Sequence, residues 1–168
     1  MVTIIESYVV TPKEETPKGD FFLSEIDQIC RWSPTPSIYI YNNNSNLNVN
    51  ELLQRMRDSL SEILGAMLIQ AESTKSMDEY GDFSPNDDNI KELIPNLDYS
   101  QPIEDLPLFL AQVTKFHGGG NAVAIGTAIS HPFSDGLSAF HFINSWAKLL
   151  GKFRFKPESQ RKDQNILS

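Results

Sequence analysis

Apolar positions along this chain recur with two periods, and the change between them marks its elements. Thr3 to Val10 is rich in β-branched residues and carries Tyr8, and Thr11-Pro12 and Thr16-Pro17 then break it, so it reads as a first strand leaving into a turn-rich loop. Phe21 to Ile29 is a short apolar patch around Ser24, Glu25 and Asp27, placed as a loop or a single helical turn. Ser37 to Tyr41 is a strand bounded by Pro34 and Pro36 before it and by Asn42 to Asn44 after it. Both of its faces are rather apolar, which predicts an interior place in a sheet. From Glu51 to about Leu64 the period becomes helical, with Asn50 as the cap. Leu52, Leu53, Met56, Leu60, Ile63 and Leu64 form one stripe, and Arg55, Arg57, Asp58 and Glu62 face water.

Ala66 to Ala71 reads as a strand joined to that helix through Gly65 alone, shorter than the usual link of about 2 to 6 residues. Asn89 to Ile94 is a short helix ending before Pro95, and the run through Pro102 and Pro107 is loop. Leu108 to Phe116 and Ala122 to Ser130 are two strands joined by a glycine-rich hairpin turn, His117-Gly118-Gly119-Gly120-Asn121. This is not a phosphate loop, since no Gly-Lys-Ser/Thr follows and no helix starts there. The second strand has small residues on both faces, which predicts a central position with another backbone or a ligand close by. From Gly136 a helix with Leu137, Phe140, Ile143, Ala147 and Leu150 on its stripe, and Trp146 beside them, runs to about Gly151. No internal repeat is visible.

Composition narrows the class. The 168 residues, 40% hydrophobic and 10% aromatic, suffice for one compact soluble domain. No stretch approaches the ~20 apolar residues of a membrane span, and Met1 to Val10 lacks the basic leader and long apolar core of a secretion signal. Cys30 is the only cysteine, so no intrachain disulfide and no cysteine-based zinc site is expected, and the cytoplasm is the natural compartment. A net charge of −8 argues against a nucleic-acid partner. Its distribution is uneven: residues 152–168 hold five basic residues against two acidic ones, whereas the first 151 hold nine against twenty. With Pro157 and no apolar period, the end reads as a basic, disordered tail that diverges from the domain before it.

The candidate chemistry sits where the last strand gives way to the last helix, in His131-Pro132-Phe133-Ser134-Asp135-Gly136. Pro132 disfavours the α conformation for His131 and leaves its imidazole on extended backbone at a strand end, a position that opens onto a crevice in α/β architectures. From the residues alone His131 has two readings. One is a packed structural histidine; the other is a general base taking a proton from a hydroxyl or amine that attacks a carbonyl. Asp135, just ahead of a helix, is a good N-cap, and the motif does not establish that it touches His131. A metal pair is disfavoured because the proline spoils the helical face and no third ligand is evident. His141 lies beside Phe140 and Phe142 and reads as packing or partial exposure; His117 reads as solvated in the turn. No Gly-x-Ser-x-Gly elbow is present, which disfavours a serine hydrolase.

These residues resemble a known family. Ile129 to Gly136, continued by His141-Phe142-Ile143-Asn144-Ser145-Trp146-Ala147, is similar to the HxxxD region of the plant BAHD acyltransferases. Other landmarks agree in order: Leu23-Ser24 with Asp27-Gln28, Thr35 to Tyr41, Tyr80-Gly81-Asp82-Phe83-Ser84-Pro85, Leu93-Ile94-Pro95, Asp98-Tyr99-Ser100, and Leu106-Pro107-Leu108 leading to Gln112 to Phe116. The likeness spans residues 1–151 and is greatest to the hydroxycinnamoyl transferases acting on shikimate or spermidine. It implies a chloramphenicol-acetyltransferase-like α/β fold, a mixed sheet with packed helices. It also implies His131 as the base that lets an acceptor alcohol or polyamine attack the thioester of an acyl-CoA. Asp135 would hold the loop, Ser37 and Tyr39 would line the acyl pocket, and no cofactor or metal is implied beyond acyl-CoA as co-substrate.

Two departures accompany the resemblance. Family members continue the first helix into a Phe-Tyr-Pro-Leu-Ala-Gly-Arg-like stretch that is missing near residues 64–65, and they carry a second domain with an Asp-Phe-Gly-Trp-Gly motif. Residues 1–151 then correspond to a partial, truncated N-terminal half of an acyltransferase. The alternative to catalysis is a non-catalytic fragment that binds a full-length relative or another protein through uncovered sheet.

Overall fold

A computed structural model describes residues 1–15, 19, 22, 24–25, 34–42, 48–84, 88–98, 106–118, 122–131 and 134–152. Strands β1 (Val2–Val10), β2 (Pro34–Tyr41), β3 (Ala66–Ser76), β4 (Phe109–Gly118) and β5 (Val123–Ser130) form a single sheet in the order β1-β3-β4-β5-β2. Helix α1 (Val49–Ser61) lies between β2 and β3, the four-residue α2 (Asp88–Lys91) between β3 and β4, and α3 (Gly136–Lys152) follows β5. All strand pairs are antiparallel except β3 with β4. That parallel pair requires the chain to cross from one end of the sheet to the other between Ser76 and Phe109. This is a mixed α/β sheet with packed helices.

The two faces of the sheet carry separate cores. On one face α1 lays Leu52, Leu53, Met56 and Leu60, and α3 lays Ala139 and Trp146, onto Leu68, Phe109, Ala111, Val113, Ile125 and Ile129. Phe109 is the hub, edge-on to Phe142 at 5.0 Å and to Trp146 at 5.4 Å between ring centroids. Burying such a ring contributes roughly 1.5–3 kcal/mol. On the other face the crossover packs Tyr80 and Leu93 against Phe116, Ala122 and Ala124. Here Gly126 is indispensable, because a Cβ at that position would collide with the carbonyl of Leu93. The small residues of β5 thus admit a second backbone, as their pattern predicts. β5 is interior but not central, lying between β4 and the edge strand β2, and its residues are buried from Val123 to Ile129.

Several expectations need correction. β2 is an edge strand, not an interior one, because Pro34 and Pro36 lie within it and cannot donate to a second neighbour. The cap of α1 is Asn48, whose side-chain oxygen accepts from the amide of Asn50 at 3.0 Å, and the helix ends at Ser61. Its link to β3 is therefore the four residues 62–65, an ordinary length. His117 belongs to β4 and not to the turn; it is exposed, as expected, with its Nε2 2.9 Å from a Glu72 carboxylate oxygen. Arg55 does not point only to water: its Nη2 donates to the Leu150 carbonyl at 2.9 Å, in the last turn of α3. Arg57 lies over the ring of Tyr8. Helix α3 is rotated from its expected stripe, burying Ala139 and Trp146 while Leu137 and Phe140 are 82% and 63% exposed. The Trp146 indole is fixed by Phe109 and by Ser59, and that anchor sets the rotation. Cys30, Pro132, Phe133, the turn residues Gly119 to Asn121 and the basic tail beyond Lys152 lie outside the described residues.

Candidate functional site

β5 carries the chain to His131 beside the edge strand β2 and ends there because the backbone turns. The amide of Ser134 donates to the carbonyls of Ser130 (3.2 Å) and His131 (3.1 Å), and the amide of Ser130 donates to Leu108 (2.9 Å). The His131 carbonyl is thus held by the Ser134 amide, and the residue before it is tied to Leu108. His131 is half-buried, and its Nδ1 is buried without a hydrogen-bond partner among the described residues.

Asp135 does not supply that partner. Its carboxylate accepts from the Ser138 amide at 2.8 Å, and its carbonyl accepts the first helical bond, from Ala139, also at 2.8 Å. Asp135 is thus the N-cap of α3. The amide and hydroxyl of Ser138, and after them the nearby His131, hold its carboxyl below the ordinary carboxylate range. The two motif side chains are electrostatic neighbours with separate tasks.

Ser37 and Tyr39 lie on the helix-bearing face, opposite Thr127 and Ile125 of β5. Tyr39 packs against the core formed by the two helices, and Ser37 is half-buried at the sheet's edge. The register places all of them on the strand pair that ends at His131. Thr127, which the sequence reading passed over, is 1% exposed, and its hydroxyl is buried without a partner among the described residues. The available signal was a hydroxyl at 127, in the interior of a strand whose other residues before Ser130 are aliphatic or glycine. Among the described residues no three side chains are grouped to hold a metal ion, and no helix is long and apolar enough to cross a membrane.

Comparison with known proteins adds to this geometry. A family model described as the transferase family matches residues 1–67 and 64–165. A hydroxycinnamoyl-CoA:piscidic acid hydroxycinnamoyltransferase of Actaea racemosa is 36% identical over 174 residues, covering 89% of this chain and 38% of that protein. Anthranilate N-benzoyltransferase protein 2 of Dianthus caryophyllus is 34% identical, covering 88% and 40%. A shikimate O-hydroxycinnamoyltransferase of Nicotiana tabacum is 30% identical, covering 88% and 39%. The chain spans about 40% of the length of these relatives. The crystal structure of vinorine synthase superposes with a TM-score of 0.73 at 20% identity, over 92% of this chain and 44% of that one, a likeness of fold.

Proposed function

This chain belongs to the transferase family of plant BAHD acyltransferases, and from that premise we propose that it takes part in moving a hydroxycinnamoyl-type acyl group from acyl-CoA to an alcohol or amine. The observation that carries the reading is half-buried His131 at the end of an interior strand, its Nδ1 without a hydrogen-bond partner among the described residues and the Asp135 carboxylate engaged in capping a helix. In this reading the imidazole takes the proton from the acceptor O–H or N–H as that atom attacks the thioester carbonyl carbon. The new C–O or C–N bond forms, the C–S bond breaks, and the proton passes from the imidazolium to the departing CoA sulfur. General-base catalysis of this kind contributes about 10² to 10⁴ in rate. Asp135 contributes by keeping the turn and helix in place, and Ser37 and Tyr39 face the acyl group. The lone thiol Cys30 suits a cytoplasmic setting.

The test is CoA-thiol release by the purified chain supplied with a hydroxycinnamoyl-CoA and either shikimate or spermidine. Release above background that His131→Ala abolishes is the expected result; the same rate from both proteins overturns catalysis by this chain.

A second reading, that the chain acts by binding a full-length relative, is favoured by the outer strand β1, where Ile4, Ile5 and Val9 are 60%, 52% and 77% exposed. Light scattering with and without such a relative decides it: a joint species supports the reading, and two unchanged species refute it.

A further inference from the structure

The two edges of the sheet differ. β2 carries Pro34 and Pro36, which have no amide hydrogen to offer an added strand, and only Pro36 and Tyr41 along it are exposed. β1 has no proline, is exposed from Thr3 to Ser7 and at Val9, and keeps a regular ladder with β3 from Glu6 to Val10, the bulge at Ile5 ending that run. Glu6 and Tyr8 share the helix-bearing face, and the Tyr8 hydroxyl donates to Glu6 at 2.6 Å. The Arg57 guanidinium lies over the Tyr8 ring, 4.6 Å from its centroid. Among the described residues neither Glu6 nor Arg57 has an ion-pair partner.

We propose that β1 pairs antiparallel with β1 of a second copy of this chain across a two-fold axis at Ser7, joining the two five-stranded sheets into one. The charges select this register. An axis at Glu6 would set the two Glu6 carboxylates face to face, and an axis at Tyr8 would bring the two Arg57 guanidinium groups together. With the axis at Ser7, Glu6 of each copy stands opposite Tyr8 of the other, beside the Arg57 that lies over that ring, and the complementary contact occurs twice. A slip of one residue is excluded by the pleat, because it would oppose side chains of opposite faces. The same register brings Val9 of each copy, 77% exposed, beside Ile5 of the other. Growth stops at two copies, because both remaining edges are the proline-bearing β2. So short a run makes a weak dimer, and the pairing does not depend on acyl transfer.

Sedimentation of the intact chain over a range of concentrations reads its state, and the expected result is a mass that rises from one chain to two and no further. Glu6→Arg and Arg57→Glu each oppose like charges twice across the axis, and each alone should raise the dissociation constant by about 10-fold. An equimolar mixture of the two variants makes both contacts complementary again and should recover the dimer, with circular dichroism confirming that each variant folds. Ser7→Arg, at an exposed position on the axis, should weaken the dimer without any change at Arg57. A chain that stays single at every concentration overturns the proposal, even if it joins a full-length relative, and leaves the binding and acyl-transfer readings to their own tests. A dimer indifferent to all three variants, a mixture no tighter than either variant alone, or assemblies beyond two copies would overturn it as well.

Discussion

The indole nitrogen of Trp146 donates a 2.9 Å hydrogen bond to the hydroxyl of Ser59, joining α3 to α1 inside the core. The Ser59 hydroxyl in turn donates to the Met56 carbonyl at 3.0 Å, so a short polar chain crosses an otherwise apolar layer. Ser59→Ala leaves a buried indole N–H without an acceptor and should cost about 1–3 kcal/mol. Trp146→Phe in the Ser59→Ala background should cost less than in the unaltered protein, because the bond is already gone. Urea unfolding of the four proteins measures the coupling, and strictly additive losses would show that the bond contributes nothing.

Gly126 tests the close approach of the crossover. Alanine there must push back the Leu93 carbonyl, and strain of this kind costs about 1–3 kcal/mol. A lowered urea midpoint is expected for Gly126→Ala, whereas Gly151→Ala, where a Cβ meets nothing, should change the midpoint little. Equal midpoints for the two variants would contradict the contact.

Asp135 and His131 should separate in their effects. Asp135→Ala removes the cap of α3 and should lower Tm by about 2–4 °C, while Asp135→Asn, also a good cap, should restore most of it. His131→Ala should leave Tm nearly unchanged and act on turnover. A Tm loss from Asp135→Asn as large as that from alanine would argue that the charge, not the cap, is what matters.

Glu92 gives the fold an acid-sensitive clasp. Its carboxylate accepts from the Val2 amide at 3.1 Å and the Tyr80 hydroxyl at 2.8 Å, and faces Lys75 and the N-terminal amine. Burial raises its pKa, but these partners outweigh that and hold it below the ordinary value, whereas burial first, with Glu92 adding to it, pushes the Tyr80 hydroxyl up to about 12. A depressed folded-state pKa stabilises fully above the unfolded value of about 4.3, and the stabilisation is lost as pH falls through the folded value. Glu92→Gln should therefore lower stability at pH 7 and flatten its decline between pH 5 and pH 3. Parallel Tm–pH curves for the two proteins would count against the clasp.

The order of elements was legible because alternation, helical period and proline or glycine punctuation agree over β1, β3, β4, β5 and α1. The small residues of β5 pointed to a close backbone, and Gly126 under Leu93 is that contact. What failed depended on partners far away in sequence. The edge position of β2 is fixed by which strand pairs with β5, although Pro34 and Pro36 already argued for it. The rotation of α3 is set by Trp146 finding Ser59, 87 residues earlier, and no local period encodes that. At the candidate site, position and motif were readable for His131, and the capping task of Asp135 was anticipated. The unpaired hydroxyl of Thr127 was not, because an orphaned group is defined by neighbours that only the folded sheet supplies.

The strand order has a consequence for synthesis. Both outer strands come from the first quarter of the chain, and β2 has no partner until β5, which begins at Val123, has left the ribosome. At roughly 5–20 residues per second, that is a wait of several seconds with tyrosines and isoleucines unclaimed. Slowing translation before β5 should lengthen that exposure.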